Sequence, residues 1–444
     1  MADLTLSNAK IVTHKEIFDG AVMIKDGRIE AVVRGEIKGV TGEVKDLKGK
    51  YLLPGLIDVH VHFRTPGQTE KEDFTTGSKA ALAGGVTTVL DMPNTKPSII
   101  DQKSLDEKKA EVARKSLVNY GLYVGATLDN LEEVKKVKGA CGMKIYMGSS
   151  TGNLLVDSKE VLEKFMAEYK GLMVVHAEDE ECIKEGIVKY ADKVRGDVGE
   201  KSEARVHSLI RAPECAELAV KTLLHLAKKY GARVHIAHCS TMAELEIIRK
   251  FKDKNISVEV TPHHLFLTDK DYEMYGTLIK VNPPIRGLTD QVALWQGISD
   301  GLVDIVSTDH APHLYEEKMK PYAEAPSGVP GVQTMLPLML NAVNEKKLSL
   351  SKVVELTSYN PARLFNLRGK GQIHEGFDAD LTVVDLDLAH NVDREFLFSK
   401  CGWSPFADWK LKGWPIMTIV NGGIMYEWRD QFGDRLGRDV CEAR

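Results

Sequence analysis

Two histidines stand one residue apart in the stretch GLIDVHVHFRTPG, Gly55 to Gly67, and an arginine follows two positions later. On a strand, side chains at i and i+2 point to the same face. His60 and His62 therefore point together, and Arg64 joins them if the strand runs that far. Imidazole is a preferred nitrogen ligand for zinc and related metals and is mostly neutral near physiological pH. A lone strand histidine is usually a satisfied core or surface residue. A same-face pair backed by further ligand types is harder to explain as packing.

Those ligand types recur at the ends of other apolar runs. GMKIYMG carries Lys144, GLMVVHAED carries His176, ARVHIAHC carries His238 and VDIVSTDH carries Asp309. Each such group buried without a partner would cost about 1–3 kcal/mol, which a bound metal removes. Lys144 lies in a run too apolar for a casual ammonium. Its bland explanation is a lysine that snorkels to the surface or pairs with an acid. The sharper one is an amine neutral long enough to take up carbon dioxide. The carbamate so formed has two oxygens, suited to bridging two metals about 3.5–4 Å apart.

These residues need a scaffold that brings strand ends together. Eight short apolar runs, at 55–63, 85–93, 119–127, 142–148, 171–179, 232–239, 257–264 and 303–310, alternate with stretches of helical spacing such as SKEVLEKFMAEYK. Repeated βα units imply a parallel sheet, and eight of them imply an α/β fold, the (β/α)8 TIM barrel. In that barrel the C-terminal strand ends converge on one mouth. An open doubly wound sheet is the weaker alternative, since no GxGxxG follows the first strand. Both chain ends are rich in β-branched runs and turns, including Asp26-Gly27 and Asn421-Gly422-Gly423. The expected organisation is a barrel over 55–365 and a small β-sandwich domain made from both ends, 1–54 and 366–444.

A chain of 444 residues accommodates a barrel of about 250 residues plus that appendage. Its 59 basic and 64 acidic residues give a net charge of −5, so neither nucleic acid nor an anionic membrane is indicated as partner. The start MADLTLSNAKIV lacks a basic region followed by an apolar run, and no window resembles a membrane span. The six cysteines form no CxxC pair, so reduced cysteines in a cytoplasmic protein are expected, with Cys239 a packing residue beside His238.

With these residues assembled, the chain resembles the amidohydrolase superfamily and, within it, the type I dihydroorotases. PGLIDVHVHFRTPG, GGVTTVLDMPNT, VNPPIR, STDHAPH and GFDADLTVVD carry the resemblance, which spans almost the whole chain. It implies that His60, His62 and Asp309 hold one zinc, that His176 and His238 hold a second, and that carboxylated Lys144 bridges the two. Many bacterial members carry an aspartate near that lysine's place, and the KIYMG context here looks more like the animal and hydantoinase-like forms. The implied reaction interconverts dihydroorotate and N-carbamoyl-L-aspartate, with Asp309 as general acid and base. Arg64, Asn94, Asn282, His313 and the backbone at Ser327-Gly328 are implied as contacts for this small anionic substrate. Taken alone, Asn94 and Asn282 read as turn residues beside prolines. The partners implied are a second copy of the chain or aspartate transcarbamoylase. Arg64 and His313 speak against the sister allantoinase or hydantoinase activities, and the full ligand set speaks against a non-catalytic scaffold.

Three features stay outside this scheme. His263-His264 receive no ligand role, SSTGNLLVDS is a candidate loop over the site, and EKKAEVARK reads as a solvated helix face.

Overall fold

The apolar runs form parallel strands because both of their faces are covered. The strands are Leu56–Val61, Val86–Asp91, Asn119–Leu122 continued by Val124–Gly125, Met143–Tyr146, Leu172–His176, Arg233–Ile236, Ile256–Val260 and Ile305–Val306. Nearly every residue in them is buried, which is why they read as continuous apolar runs instead of alternating ones. The third strand is interrupted at Tyr123. Its first half pairs with the second strand and its second half with the fourth. A parallel bridge between Val61 and His310, with the His62 amide donating to His310 O at 2.8 Å, joins the eighth strand to the first. The ring is the expected TIM barrel, in a computed structural model that describes residues 2–37, 42–149, 154–194 and 204–441.

Capping residues fix where strands give way to helices. Thr241 accepts from the Glu244 amide at 3.1 Å, and Glu244 accepts from the Thr241 amide at 2.9 Å. This capping box starts helix Met242–Phe251, its N-cap Thr241 three residues after His238. Helix Pro213–Tyr230 opens on proline and closes on Gly231 at φ +63°, a conformation that glycine adopts without penalty. His263 and His264 lie in a one-turn helix, Pro262–Phe266, beyond the seventh strand, not on its end. His264 is spent on Thr261 Oγ1 at 2.8 Å and Pro283 O at 3.1 Å.

EKKAEVARK is not wholly a solvated face. Helix Gln102–Val112 buries Lys108, whose Nζ donates to Asp91 Oδ2 at 2.5 Å and to Met92 O at 3.2 Å. The pair lies under the second barrel strand, at a position that charge alone marks as exposed.

The two chain ends build one nine-stranded sheet. Tyr51–Pro54 pairs antiparallel with Leu381–Asn391, with Leu53 opposite Thr382, and this joins the N-terminal strands to the C-terminal ones. Leu6, Ile11, Val22, Leu381 and Ile419 collect in an apolar core of their own. The tail then returns to the barrel. Tyr120 N donates to Arg438 O at 2.9 Å and Val440 N to Tyr120 O at 2.8 Å.

That return corrects the cysteine expectation. Cys141 and Cys441, 300 residues apart in sequence, form a disulfide, and so do Cys182 and Cys215. Local spacing carries no trace of a pair made by a tail folding back onto the barrel. Cys239 and Cys401 are free and buried, and Cys239 packs in the barrel core as expected. Among the described residues no helix is long and apolar enough to cross a membrane. Residues 150–153, in the first half of the loop expected over the site, lie outside the described residues.

Candidate active site

The strand ends deliver the ligand types to one place. His60 is the penultimate residue of the first strand, Lys144 is inside the fourth and His176 ends the fifth. His238 and Asp309 follow the sixth and eighth strands by two and three residues. All of these, with His62, line one small cavity at the C-terminal mouth. Nitrogen and oxygen atoms of His60, His238 and Asp309 all lie within 4.8 Å of one another. Asp309 Oδ1 is 3.0 Å from His62 Nε2 and 3.3 Å from His60 Nε2. His176 Nδ1 faces His238 Nε2 at 3.0 Å. Lys144 Nζ is buried and has no hydrogen-bond partner among the described residues.

Arg64 reaches the cavity by a different route from the one its spacing suggests. The first strand ends at Val61, so alternation does not carry through to residue 64. Arg64 instead adopts φ +58°, and His238 and Asp309 sit at +36° and +46°. A left-handed backbone costs a non-glycine residue about 1–2 kcal/mol. Three such residues lining one cavity are a mark of a functional site.

Buried carboxylates orient the imidazoles from behind. His60 Nδ1 donates to Glu259 Oε1 at 2.5 Å, because a carboxylate only accepts. Its Nε2 lone pair is therefore turned into the cavity. Glu259 also takes His235 Nε2 at 3.0 Å and the His238 amide at 3.2 Å, and His235 continues to Ser257 Oγ at 2.8 Å. Burial pushes the Glu259 carboxyl up, but His60 and His235 outweigh it and hold the group well below its usual range. His62 Nδ1 meets Asn94 Oδ1 at 2.7 Å, which leaves its Nε2 facing Asp309. Glu178 stands 3.0 Å from His176 Nε2, off the line of a hydrogen bond, and is clamped by Arg211 at 2.6 Å.

The electrostatics suit a cation. Burial lowers the pKa of His60, His62, His176 and His238, keeping these rings neutral and ligand-ready. Burial lowers Lys144 to about 8 and raises Asp309. The Nε2 lone pairs of His60 and His62 converge on one oxygen of the Asp309 carboxyl, three acceptors together whenever that group is ionised. A divalent ion with a taste for nitrogen and oxygen ligands, zinc above all, resolves that conflict.

The remaining wall is built for an anion. Arg64 Nε donates to Pro312 O at 3.1 Å, and Nη2 lies 3.2 Å from His313 Nε2. His313 stands behind Arg64, not among the cavity-lining residues; its Nε2 is 3.1 Å from Ser327 O and its Nδ1 is 3.2 Å from Lys71 Nζ. Burial, with Arg64 and Lys318 nearby, keeps its ring neutral. Asn94, Asn282, Ser327 and Gly328 complete the lining, as does Tyr146.

Glu259, Glu178, Arg211, Lys71 and Tyr146 escape a sequence reading. Glu259 had a signal, a single acid in the apolar run ISVEV. The others sit in stretches where their residue types are unremarkable.

A family model described as amidohydrolase family matches residues 51–425. A dihydroorotase of Pyrococcus abyssi is 40% identical over 434 residues, covering 98% of this chain and 97% of that protein. One of Methanosarcina mazei is 39% identical and covers 91% and 90%. Among solved structures, the L-hydantoinase (dihydropyrimidinase) of Arthrobacter aurescens superposes with TM-score 0.93 at 29% identity, over 98% of both chains. A dihydropyrimidinase from Brevibacillus agri gives 0.88 at 24% identity over 99% of both, a likeness of fold.

Proposed function

The chain belongs to the amidohydrolase family, and we propose that it is a dihydroorotase, interconverting dihydroorotate plus water with N-carbamoyl-L-aspartate. The cyclising direction serves pyrimidine synthesis. One observation carries the choice within the family. Arg64 is a buried guanidinium lining the cavity; the carboxylates of Asp309, Asp91 and Glu317 act on it through space, and its side-chain contacts are Pro312 O and His313 Nε2. A substrate carboxylate would meet it in the bidentate geometry that guanidinium favours.

In this scheme His60, His62 and Asp309 would hold one zinc and His176 and His238 a second. Lys144 Nζ, as the neutral amine, would add to carbon dioxide and release one proton, and the carbamate so formed would supply oxygen ligands to the metal site. When bound, the ions lower the pKa of water and polarise the ring carbonyl. Asp309 takes the proton of the attacking water and hands it to the leaving ring nitrogen. Arg64, Asn94 and Asn282 grip the substrate carboxylate, the Ser327-Gly328 backbone contacts the substrate elsewhere, and His313 braces Arg64. Residues 55–365 are then the catalytic barrel, and 1–54 with 366–444 the β-domain. The cytoplasm is its place, with a second copy of the chain or aspartate transcarbamoylase as partner.

The likeness to hydantoinase structures favours one competing activity, hydrolysis of a cyclic amide without a carboxylate. Zinc per chain by elemental analysis, coupled to turnover of dihydroorotate, hydantoin and allantoin on the same sample, decides. Metal with turnover of dihydroorotate alone is the expected result. Turnover only of hydantoin or allantoin would keep the metal site and overturn the substrate.

A further inference from the structure

His207 lies outside the cavity lining, on the short helix Val206–Ile210, yet its hydrogen bonds decide what Asn282 offers the substrate. His207 Nε2 is 2.9 Å from Val281 O. A backbone carbonyl only accepts, so Nε2 carries the ring proton. The same Nε2–H reaches the side chain of Asn282 at 2.9 Å, and the atom it meets there must be the acceptor, Oδ1. The other ring nitrogen, Nδ1, is 2.8 Å from Tyr322 Oη. Burial holds the ring neutral, so Nδ1 is bare and the Tyr322 hydroxyl donates to it.

This arrangement removes the usual ambiguity of an asparagine side chain. Asn282 lines the cavity, and with Oδ1 engaged by His207 it has the Nδ2 amide and its two hydrogens to present there. Tyr322 is itself fixed. Lys280 Nζ donates to Tyr322 O at 2.7 Å and Ala325 O at 2.7 Å, and sits 4.2 Å over the tyrosine ring. Gly328 N donates to Lys280 O at 2.9 Å, so the segment carrying Ser327 and Gly328 is tied to the same anchor.

We propose that His207 is a positioning residue for anion recognition: through Nε2–H it locks Asn282 so that N–H donors, and not a carbonyl oxygen, face the substrate carboxylate. Reversing that amide would place an oxygen lone pair against the anion. The inference rests on the dihydroorotase scheme above.

Two near-isosteric variants separate positioning from mere packing. H207Q places an amide nitrogen where Nε2 stood, whereas H207N places one near Nδ1 and loses the Nε2 donor. On the full-length zinc enzyme, H207N should raise KM for dihydroorotate about tenfold, the scale of one lost hydrogen bond, with kcat nearly unchanged. H207Q should stay close to the parent KM. Zinc content and melting temperature should match between the two. Equal KM values in both variants would overturn the proposal. If neither variant folds, Y322F, which removes only the hydroxyl, decides: a raised KM supports the relay and an unchanged one overturns it. A parent enzyme inactive on dihydroorotate would instead bring down the dihydroorotase scheme itself.

Discussion

His60 Nδ1 lies 2.5 Å from Glu259 Oε1, and both side chains are buried. The contact fixes the ring proton on the side away from the cavity, leaving Nε2 bare for a metal. Glu259→Gln keeps the shape and removes that constraint. Zinc affinity should fall about 10–100-fold, as for other ligand-orienting carboxylates. Competition with a chromogenic chelator measures it. Unchanged affinity would confine Glu259 to its contacts with His235.

Lys144 Nζ has no hydrogen-bond partner among the described residues and stands 5.0 Å over the Tyr146 ring. Burial lowers its pKa to about 8. Only the neutral amine adds to carbon dioxide, so its reactive fraction grows as pH rises through that value and shrinks below it. Reloading stripped enzyme with zinc and 13C-bicarbonate should therefore be slower on the acid side of that pKa, and should end with a carbamate carbon resonance. Lys144→Met should show no such resonance and less zinc per chain. Full zinc content in that variant would exclude a bridging role.

What the sequence discloses follows from distance along the chain. The barrel is legible because burial on both faces turns each strand into an apolar run, and His60, Lys144 and His176 are legible as polar interruptions of such runs. Arg64 is legible as a residue but not as a geometry, since its aim depends on a left-handed backbone beyond the strand end. His207 and Tyr322 act through a hydrogen bond spanning 115 residues, and nothing local marks either. The Cys141–Cys441 bridge fails for the same reason.

Arg64 is expected to act on substrate and not on metal. Arg64→Met keeps much of the side chain's length and apolar volume and removes the charged donors. Loss of two charge-assisted hydrogen bonds should lower kcat/KM for dihydroorotate by roughly 10²-fold or more. Steady-state kinetics with zinc analysis on the same sample is the check. Zinc lost in parallel would make the residue structural, through its bond to Pro312 O and its contact with His313.

Lys108 and Asp91 test the fold away from the site. Their side chains are wholly buried, Nζ to Oδ2 at 2.5 Å, with Asp91 also accepting from the Phe63 amide at 2.6 Å. Phe63 separates His62 from Arg64, so this pair secures the turn that leads from one to the other. Truncating one partner of a buried ion pair strands the other charge and costs about 3–5 kcal/mol. An exposed lysine on a solvated helix would cost less than about 0.5 kcal/mol. Lys108→Met should therefore lower the denaturant midpoint strongly. Burial already raises the Asp91 pKa, and without the ammonium that carboxyl should rise further. A group whose folded-state pKa is raised binds its proton more tightly when folded, so the variant's deficit should shrink as pH falls toward the carboxylate range. Denaturation midpoints of parent and variant across that range measure both effects, and a small, pH-independent deficit would return Lys108 to the surface.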